Sequence, residues 1–311
     1  MSRPVSPSQG LGVLHLFCRR GNGFEADRVQ AAIADAKAGG DQVITVALLG
    51  HKAELAVMAL AEDLWRLRDL QGALEDAGLD LVDSYLSLTE VSEYAAGVPD
   101  EMRQARLHPQ LPPEGKPAWC FYPMSKRRGA DANWYTLGFE ERLELMGEHG
   151  RSGRSFAGRV LQVVTGSTGI DNYEWGVTLF AERPDDLKEV VYTMRFDEAS
   201  AIYAEFCPFW TGMVADLDTV LARPGRGCRQ DRCCHRQGSS PDRDPCRAGP
   251  AGTAFPPHRH GGVDFHDCPE HGNPDLLPRQ PRNQPGYPGA VWRKMAQAFR
   301  PGRPASKREK Q

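Results

Sequence analysis

A redox-active phenol, a run of cations and a histidine lie close together in the middle of the chain. Tyr122 belongs to an apolar, strand-like run that begins at Trp119, and three consecutive cations occupy positions 126–128. His149 follows at the end of a segment with helical spacing. Neutral imidazole is a common donor to haem iron, and clustered cations bind carboxylates. These residue types together could hold an anionic iron porphyrin and oxidise part of it.

Each of these features also has an interpretation that involves no chemistry. An aromatic residue such as Tyr122 is common in strands, and a run of charges such as 126–128 usually forms a solvated face. A histidine at the C-terminal end of a helix, as predicted for His149, is favoured by the helix dipole. The residue types and their spacing leave both interpretations open.

The N-terminal part of the chain predicts an alternation of strands and helices. Apolar runs at 12–18 and 43–49 indicate buried strands, with a helix at 24–38 between them. A turn at 50–53 is predicted to lead into a long helix, and a half-alternating segment at 79–88 indicates a further strand. The apolar face of the long helix would carry Leu60, Leu64, Leu67 and Leu74.

The second half repeats this scheme. Its predicted elements are a strand at 119–124, a helix at 140–149, strands at 158–165 and 174–182, a helix from 184 to about 205, and a closing segment at 208–217. Alternating units of this kind predict an α+β fold made of two ferredoxin-like halves that share a sheet. The predicted domains are an N-terminal half at 1–98, a linker at 99–117, a C-terminal half at 118–222 and a tail at 223–311.

Composition separates the tail from the rest of the chain. After Ala222 there are 17 Lys+Arg against 8 Asp+Glu, whereas the preceding residues hold 21 against 33. An acidic body argues against nucleic acid as the ligand, because phosphate contacts need an excess of Lys and Arg. The tail is rich in Arg, Pro, Gly, Cys and His and poor in aliphatic residues, so we expect it to be disordered. Its cysteine and histidine spacings fit no paired zinc knuckle, and an out-of-frame extension would give the same composition.

Several features predict a cytoplasmic protein with no membrane partner. The N-terminal segment lacks the charged lead and long apolar stretch of a secretory signal. No apolar run approaches the ~20 residues that a membrane-spanning helix needs. The body of the chain contains three scattered cysteines, Cys18, Cys120 and Cys207, which suits a reducing compartment.

Several motifs resemble a known family. YPMSK at 122–126, NWY at 133–135 and HG..GR at 149–154 are similar to the coproheme decarboxylases of the chlorite dismutase-like superfamily. LGHKA, EWGVTLFA and MRFDEASA elsewhere in the chain are similar to the same family, and the resemblance covers roughly residues 10–221. It implies a dimeric α+β barrel formed within each subunit, and a homo-oligomer that is commonly a pentamer.

The resemblance also implies roles for individual residues. His149 falls on the axial iron ligand, Tyr122 on the tyrosine that forms a radical, and Gln162 on the distal glutamine. The implied substrate contacts are Met124 and Lys126 beside the reacting propionates, Arg195 and Ser200 near carboxylates, and Arg106 as the arginine of the linker.

The implied activity is the oxidative decarboxylation of iron-coproporphyrin III (coproheme), handed over by a ferrochelatase. Hydrogen peroxide is the oxidant, and the bound substrate serves as its own redox cofactor. A Tyr122 radical removes hydrogen from a propionate, loss of carbon dioxide leaves a vinyl group, and two rounds give haem b. Gln162 favours this activity over chlorite dismutation, for which the family places an arginine there. A haem-binding protein without catalysis is the second alternative.

Overall fold

The computed structural model describes residues 3–95 and 97–222. The N-terminal half contains β1 (Gly12–Arg20), α1 (Ala26–Ala38), β2 (Gln42–Leu48), β3 (Leu55–Ala61), α2 (Leu64–Asp76) and β4 (Leu79–Thr89). The connection to the second half contains α3 (Asp100–Leu107). The C-terminal half contains β5 (Ala118–Lys126), α4 (Phe139–Arg154), β6 (Val160–Gly166), β7 (Trp175–Ala181), α5 (Pro184–Met194), α6 (Glu198–Ala201), β8 (Ala204–Phe206), β9 (Trp210–Val214) and α7 (Leu217–Leu221).

The strands form one antiparallel sheet that closes on itself. Its order is β7-β6-β4-β1-β3-β2-β9-β5, and a further pairing of β5 with β7 joins the two ends. The short strand β8 adds to the end of β5. Closure leaves few unpaired backbone groups at the edges. The prediction of an α+β fold with two ferredoxin-like halves in one barrel is confirmed.

Alternate residues along the strands separate the barrel interior from the helix-covered exterior. On β5, Trp119 and Phe121 point inward, where they join Phe17, Phe180 and other large apolar side chains. The residues that alternate with them on β5, Ala118, Cys120 and Tyr122, point outward into a cluster covered by α5. One strand therefore supplies both the barrel core and the surface on which the second-half helices pack.

The barrel interior also encloses a histidine. His15 on β1 is fully buried, its ring stacks on Phe121 with the centroids 4.1 Å apart, and its Nε2 lies 3.0 Å from Thr178 Oγ1. Burial lowers the pKa of His15 to about 3, because the interior disfavours the charged imidazolium. His15 is therefore a neutral core residue.

The first part of one predicted helix is a strand. The run LAVMALA at Leu55–Ala61 forms β3 between β1 and β2, and the helix begins only at Leu64. A continuous apolar run that is buried on both faces has no period to distinguish strand from helix, and Leu, Met and Ala favour helices when isolated. The correction gives the N-terminal half the order βαββαβ of a ferredoxin-like unit.

The helices of the second half also differ from the predicted bounds. α4 continues through Gly150 and Gly153 to Arg154, so His149 lies inside the helix and not at its end. Arg151 and Arg154 in the last turn stabilise this extension through the helix dipole. The helix predicted from 184 to about 205 is divided after Met194 into α5, α6 and β8. The connection predicted as a linker contains α3, and the predictions for the tail lie outside the described residues.

Buried His15 generates a prediction about acid stability. Below pH 6.5 the unfolded chain binds a proton at this histidine and the folded chain does not, so stability falls as the pH drops toward 3. Between pH 7 and pH 5, His15 should lower the free energy of unfolding by about 2 kcal/mol. Urea unfolding at both pH values measures this fall in the free energy of unfolding. We expect the fall to be about 2 kcal/mol smaller in His15→Gln than in the parent chain.

His51 provides the matched control, because it is exposed on the turn before β3. His51→Gln should show the same pH dependence as the parent chain. If His15→Gln loses as much stability between the two pH values as the parent does, the acid sensitivity does not come from His15.

Candidate active site

The outer face of the barrel carries the predicted side chains of β5 and β6. Paired residues of neighbouring antiparallel strands point to the same side of a sheet. Tyr122 of β5 pairs with Val177 of β7, which pairs with Val164 of β6. Gln162 lies two residues before Val164 and therefore shares this face. Val164 is 44% exposed in the middle of its strand, so the helices leave part of the face uncovered.

Tyr122 is packed into an aromatic corner on this face. Its ring centroid lies 4.5 Å from that of Phe209 and 5.8 Å from that of Phe206. Burial raises the pKa of the Tyr122 phenol, the neighbouring Cys120 thiol adds to this effect, and the Arg195 guanidinium opposes it. The phenol is therefore protonated at any ordinary pH.

Lys126 and Arg127, two of the three cations at 126–128, have different environments. Lys126 ends β5, shares the face of Tyr122 and is buried, with Nζ donating to the Ala199 carbonyl at 2.7 Å and lying 4.1 Å from the Trp134 ring centre. Burial lowers the pKa of Lys126 to about 8, and Glu174 opposes that change. Arg127 instead forms an ion pair with Asp131 at 3.0 Å. Only part of the run faces the site.

Met124 lies between Tyr122 and Lys126 on the same face, half-buried at the edge of the apolar cluster under α5. Its backbone pairs with Trp175 of β7 and with Phe206 of β8. The alternation of β5 therefore aligns Tyr122, Met124 and Lys126 in one row.

His149 approaches the site from α4. Its side chain is 24% exposed, and Nδ1 lies 3.2 Å from Asp197 Oδ2 and 3.4 Å from Ser200 Oγ. Burial lowers the pKa of His149, the Lys126 ammonium lowers it further, and Asp197 opposes both. A neutral imidazole with a carboxylate behind Nδ1 presents Nε2 as a donor, which is how metal-bound histidines are usually held.

Asp197 is a functional candidate that sequence reasoning missed. It sits in the break between α5 and α6, where its backbone caps the short helix α6. Ser152 Oγ donates a hydrogen bond to its Oδ1 at 2.7 Å. An aspartate directly after the apolar period of α5 is typical of a helix N-cap, and this signal could have located the break.

The LGHKA motif has a structural role next to the aromatic corner. Lys52 Nζ donates to the Phe209 carbonyl at 2.5 Å and lies 5.3 Å from the Trp210 ring centre. The N-terminal half thereby fixes the segment that packs Phe209 on Tyr122.

The other predicted residues take different positions. Arg195 caps α5, is exposed, and its guanidinium lies 4.7 Å from the Phe206 ring centre. A Cβ atom on Gly153 of α4 would lie 3.8 Å from Gln162 Oε1, so this amide reaches toward α4. Ser200 is buried against the imidazole, on the side away from Nε2. Arg106 is exposed on α3, and its side chain makes no hydrogen bond or ion pair within the described part of the chain.

The chain matches a known protein family over most of the barrel. A family model described as chlorite dismutase matches residues 24–215. The chain belongs to the chlorite dismutase family. It is 43% identical over 185 residues to the coproheme decarboxylase of Staphylococcus carnosus, covering 56% of this chain and 73% of that protein. The resemblance predicted from the motifs is confirmed.

Two further relatives are named for haem binding. A Natronomonas pharaonis protein named as heme-binding is 42% identical over 205 residues, which cover 60% of this chain. The chain spans 33% of the length of that relative. The solved structure of a heme-binding protein from Thermus thermophilus superimposes with a TM-score of 0.63 at 33% identity, covering 71% of this chain and 98% of that chain. These relatives support a haem-related function for this member of the chlorite dismutase family.

In the part of the chain that the structure describes, none of the helices combines the length and apolar character needed to cross a membrane.

The His149–Asp197 contact generates a prediction for the ligand-free protein. Asp197→Asn removes the negative charge that opposes burial and Lys126 at the imidazole. We expect the pKa of His149 to fall further below its ordinary value, because the imidazolium loses its nearest counter-charge. An NMR titration of the His149 ring protons measures this pKa.

Asp185→Asn is the matched control, since Asp185 is an exposed residue of α5 that pairs with Arg183. That variant should titrate like the parent. An unchanged or higher pKa of His149 in Asp197→Asn would mean that the carboxylate does not act on the imidazole.

Proposed function

We propose that this protein converts coproheme to haem b by oxidative decarboxylation of two propionates with hydrogen peroxide. One observation carries the proposal. The row of outward side chains on β5, with Tyr122 and Lys126, ends beside His149 of α4, and His149 has Asp197 as its carboxylate partner. The 43% identity to a coproheme decarboxylase supports the same activity.

The donor set fits an iron porphyrin. With Nδ1 turned to Asp197, the Nε2 atom of His149 is available as a single axial ligand, and burial keeps the imidazole neutral and able to coordinate. The iron macrocycle would supply the redox chemistry when bound, with peroxide as the oxidant. Gln162 has to swing away from Gly153 for a flat molecule to lie between β6 and α4. A side chain with three rotatable bonds makes that movement inexpensive.

The cations of the site suit a substrate with up to four carboxylates. Burial lowers the pKa of Lys126 to about 8, so the side chain is still mostly an ammonium at neutral pH, and a carboxylate beside it would raise that pKa. Arg195 is exposed and, among the described residues, stacks on Phe206 without a carboxylate partner. Arg106 has no ion pair in the same part of the chain and is a candidate to reach a third carboxylate from α3. Charge-assisted hydrogen bonds of this kind orient as well as bind.

Tyr122 would carry the oxidation to the propionate. Burial keeps the phenol protonated, so its oxidation to the neutral radical releases one electron and one proton, both of which are used in the reduction of peroxide to water. The radical takes a hydrogen atom from the propionate chain, a second one-electron oxidation follows, and cleavage of the carbon–carboxylate bond releases carbon dioxide. Each round consumes one propionate, one peroxide and one proton, and gives one vinyl group, one carbon dioxide and two waters. Holding the phenol near the carbon it attacks is the main contribution of the protein.

Two alternatives follow from the comparisons. A haem-binding protein without turnover is favoured by the names of the two relatives from Natronomonas pharaonis and Thermus thermophilus. Chlorite dismutation is disfavoured by neutral Gln162 at the position where an arginine would manage an oxyanion. The proposed setting is a cytoplasmic homo-oligomer, pentameric by resemblance, that receives coproheme from a ferrochelatase.

Binding of ferric coproporphyrin is the first test. The parent chain should give a Soret band on titration, and His149→Ala should weaken retention of the iron porphyrin by at least roughly tenfold, because the axial ligand is lost. Absorbance titration measures both. If no band develops with the parent chain, or if His149→Ala leaves the spectrum unchanged, the assigned site is wrong.

Turnover is the second test. Tyr122→Phe should bind coproheme as the parent does but lose decarboxylation by at least roughly 10³-fold, since phenylalanine cannot form the radical under these conditions. Mass spectrometry during peroxide titration detects the successive losses of carbon dioxide.

Tyr192→Phe is the matched control, because Tyr192 is an exposed tyrosine on α5. It should retain the parent rate. Full turnover by Tyr122→Phe would reject the radical role, and binding without turnover by the parent chain would support the haem-binding alternative.

A further inference from the structure

A serine on the histidine helix holds the carboxylate that faces the imidazole. Ser152 lies three residues after His149 on α4, so both side chains project from the same side of the helix. Its Oγ donates to Asp197 Oδ1 at 2.7 Å, while Asp197 Oδ2 lies 3.2 Å from His149 Nδ1. An ionised carboxylate only accepts hydrogen bonds, so the direction of the serine bond is fixed.

The serine bond determines where the second oxygen of Asp197 points. Asp197 is in the short connection between α5 and α6, and its side chain is 13% exposed. The terminal torsion of an aspartate is broad, so the carboxylate needs a partner to hold one orientation. With Oδ1 held by Ser152, the buried Oδ2 lies 3.2 Å from Nδ1 and has no other polar partner among the described residues.

The orientation of the carboxylate matters because a second acceptor, the Ser200 hydroxyl, also faces Nδ1 of His149. Ser200 Oγ lies 3.4 Å from the same Nδ1 atom. If the carboxylate turned away, Nδ1–H would be left with a neutral hydroxyl, which accepts a weaker hydrogen bond than a carboxylate. The imidazole would then donate less electron density through Nε2.

We propose that Ser152 is a positioning residue for the axial ligand, because its hydroxyl keeps the Asp197 carboxylate on His149 and so sets the donor strength of the imidazole. This inference rests on the proposed function, in which His149 binds the iron of coproheme. Ser152 itself would touch neither the iron nor the porphyrin.

The test compares Ser152→Ala with Ser152→Thr and Ser155→Ala, each reconstituted with ferric coproporphyrin and then reduced. Resonance Raman of the ferrous form gives the iron–histidine stretching frequency, and a spectroelectrochemical titration gives the midpoint potential. We expect Ser152→Ala to lower the frequency and raise the potential, since a weaker donor stabilises ferric iron less. Retention of the iron porphyrin should weaken by no more than roughly tenfold, because the effect passes through two residues.

Two variants serve as controls. Ser152→Thr keeps the hydroxyl and should restore the parent frequency and potential. Ser155 lies at the end of the same helix and donates to the Ser152 carbonyl at 2.6 Å, so Ser155→Ala removes a serine from this turn without touching Asp197. It should behave as the parent chain does.

Two results would overturn the inference, and they are distinguishable. If Ser152→Ala matches the parent in both frequency and potential while His149→Ala abolishes the iron–histidine mode, the proposed function stands and Ser152 has no positioning role. If His149→Ala leaves that mode in place, the axial ligand is another residue and the proposed function fails with the inference.

Discussion

The pairing of β5 on both sides is the constraint on which the rest of the molecule depends. β5 pairs with β9 and with β7, so it closes the barrel and cannot shift along either neighbour without breaking the other ladder. A shift of one residue would turn Trp119 and Phe121 outward and bring their outward-facing neighbours on β5 into the core. The bulky inward residues therefore fix the register, and the register directs Tyr122, Met124 and Lys126 outward in one row. The stability of the core and the geometry of the site are two consequences of one alternation.

The two halves of the chain have the same order of elements but cover their outer faces differently. In the N-terminal half, β1 and β2 are covered by α1 and α2 with an almost entirely apolar cluster, and Val43 is 5% exposed. In the C-terminal half, β6 carries Gln162 and Val164, and Val164 is 44% exposed. Incomplete coverage lowers the amount of apolar burial that α4 gains against the sheet. It also leaves a surface on which a flat ligand could lie, between an amphipathic helix and a strand.

The candidate site was chosen from side chains and motifs, and the predictions for the elements around it were partly wrong. Tyr122, Lys126 and His149 carry their chemistry in their side chains, and the motifs around them are specific, so their candidacy did not depend on correct helix bounds. β3 was missed because LAVMALA is buried on both sides and has the composition of a helix. The helix was predicted to end at His149, directly before Gly150, whereas packing against α6 and the dipole contribution of two arginines extend it to Arg154.

Asp197 could not be found by spacing, because its partner His149 is 48 residues earlier in the chain and the contact exists only after α4 and α5 pack together. The same packing explains why buried charge is concentrated here. Lys126 contacts Ala199 of α6, and His149 contacts Asp197 in the α5–α6 connection. Burial disfavours the charged forms of both the lysine and the histidine. Natural selection for stability alone would favour apolar side chains at such positions. Polar groups that are buried, mutually interacting and shifted in pKa are instead typical of sites that must receive a charged ligand, and their attraction for that ligand offsets the cost of burying them.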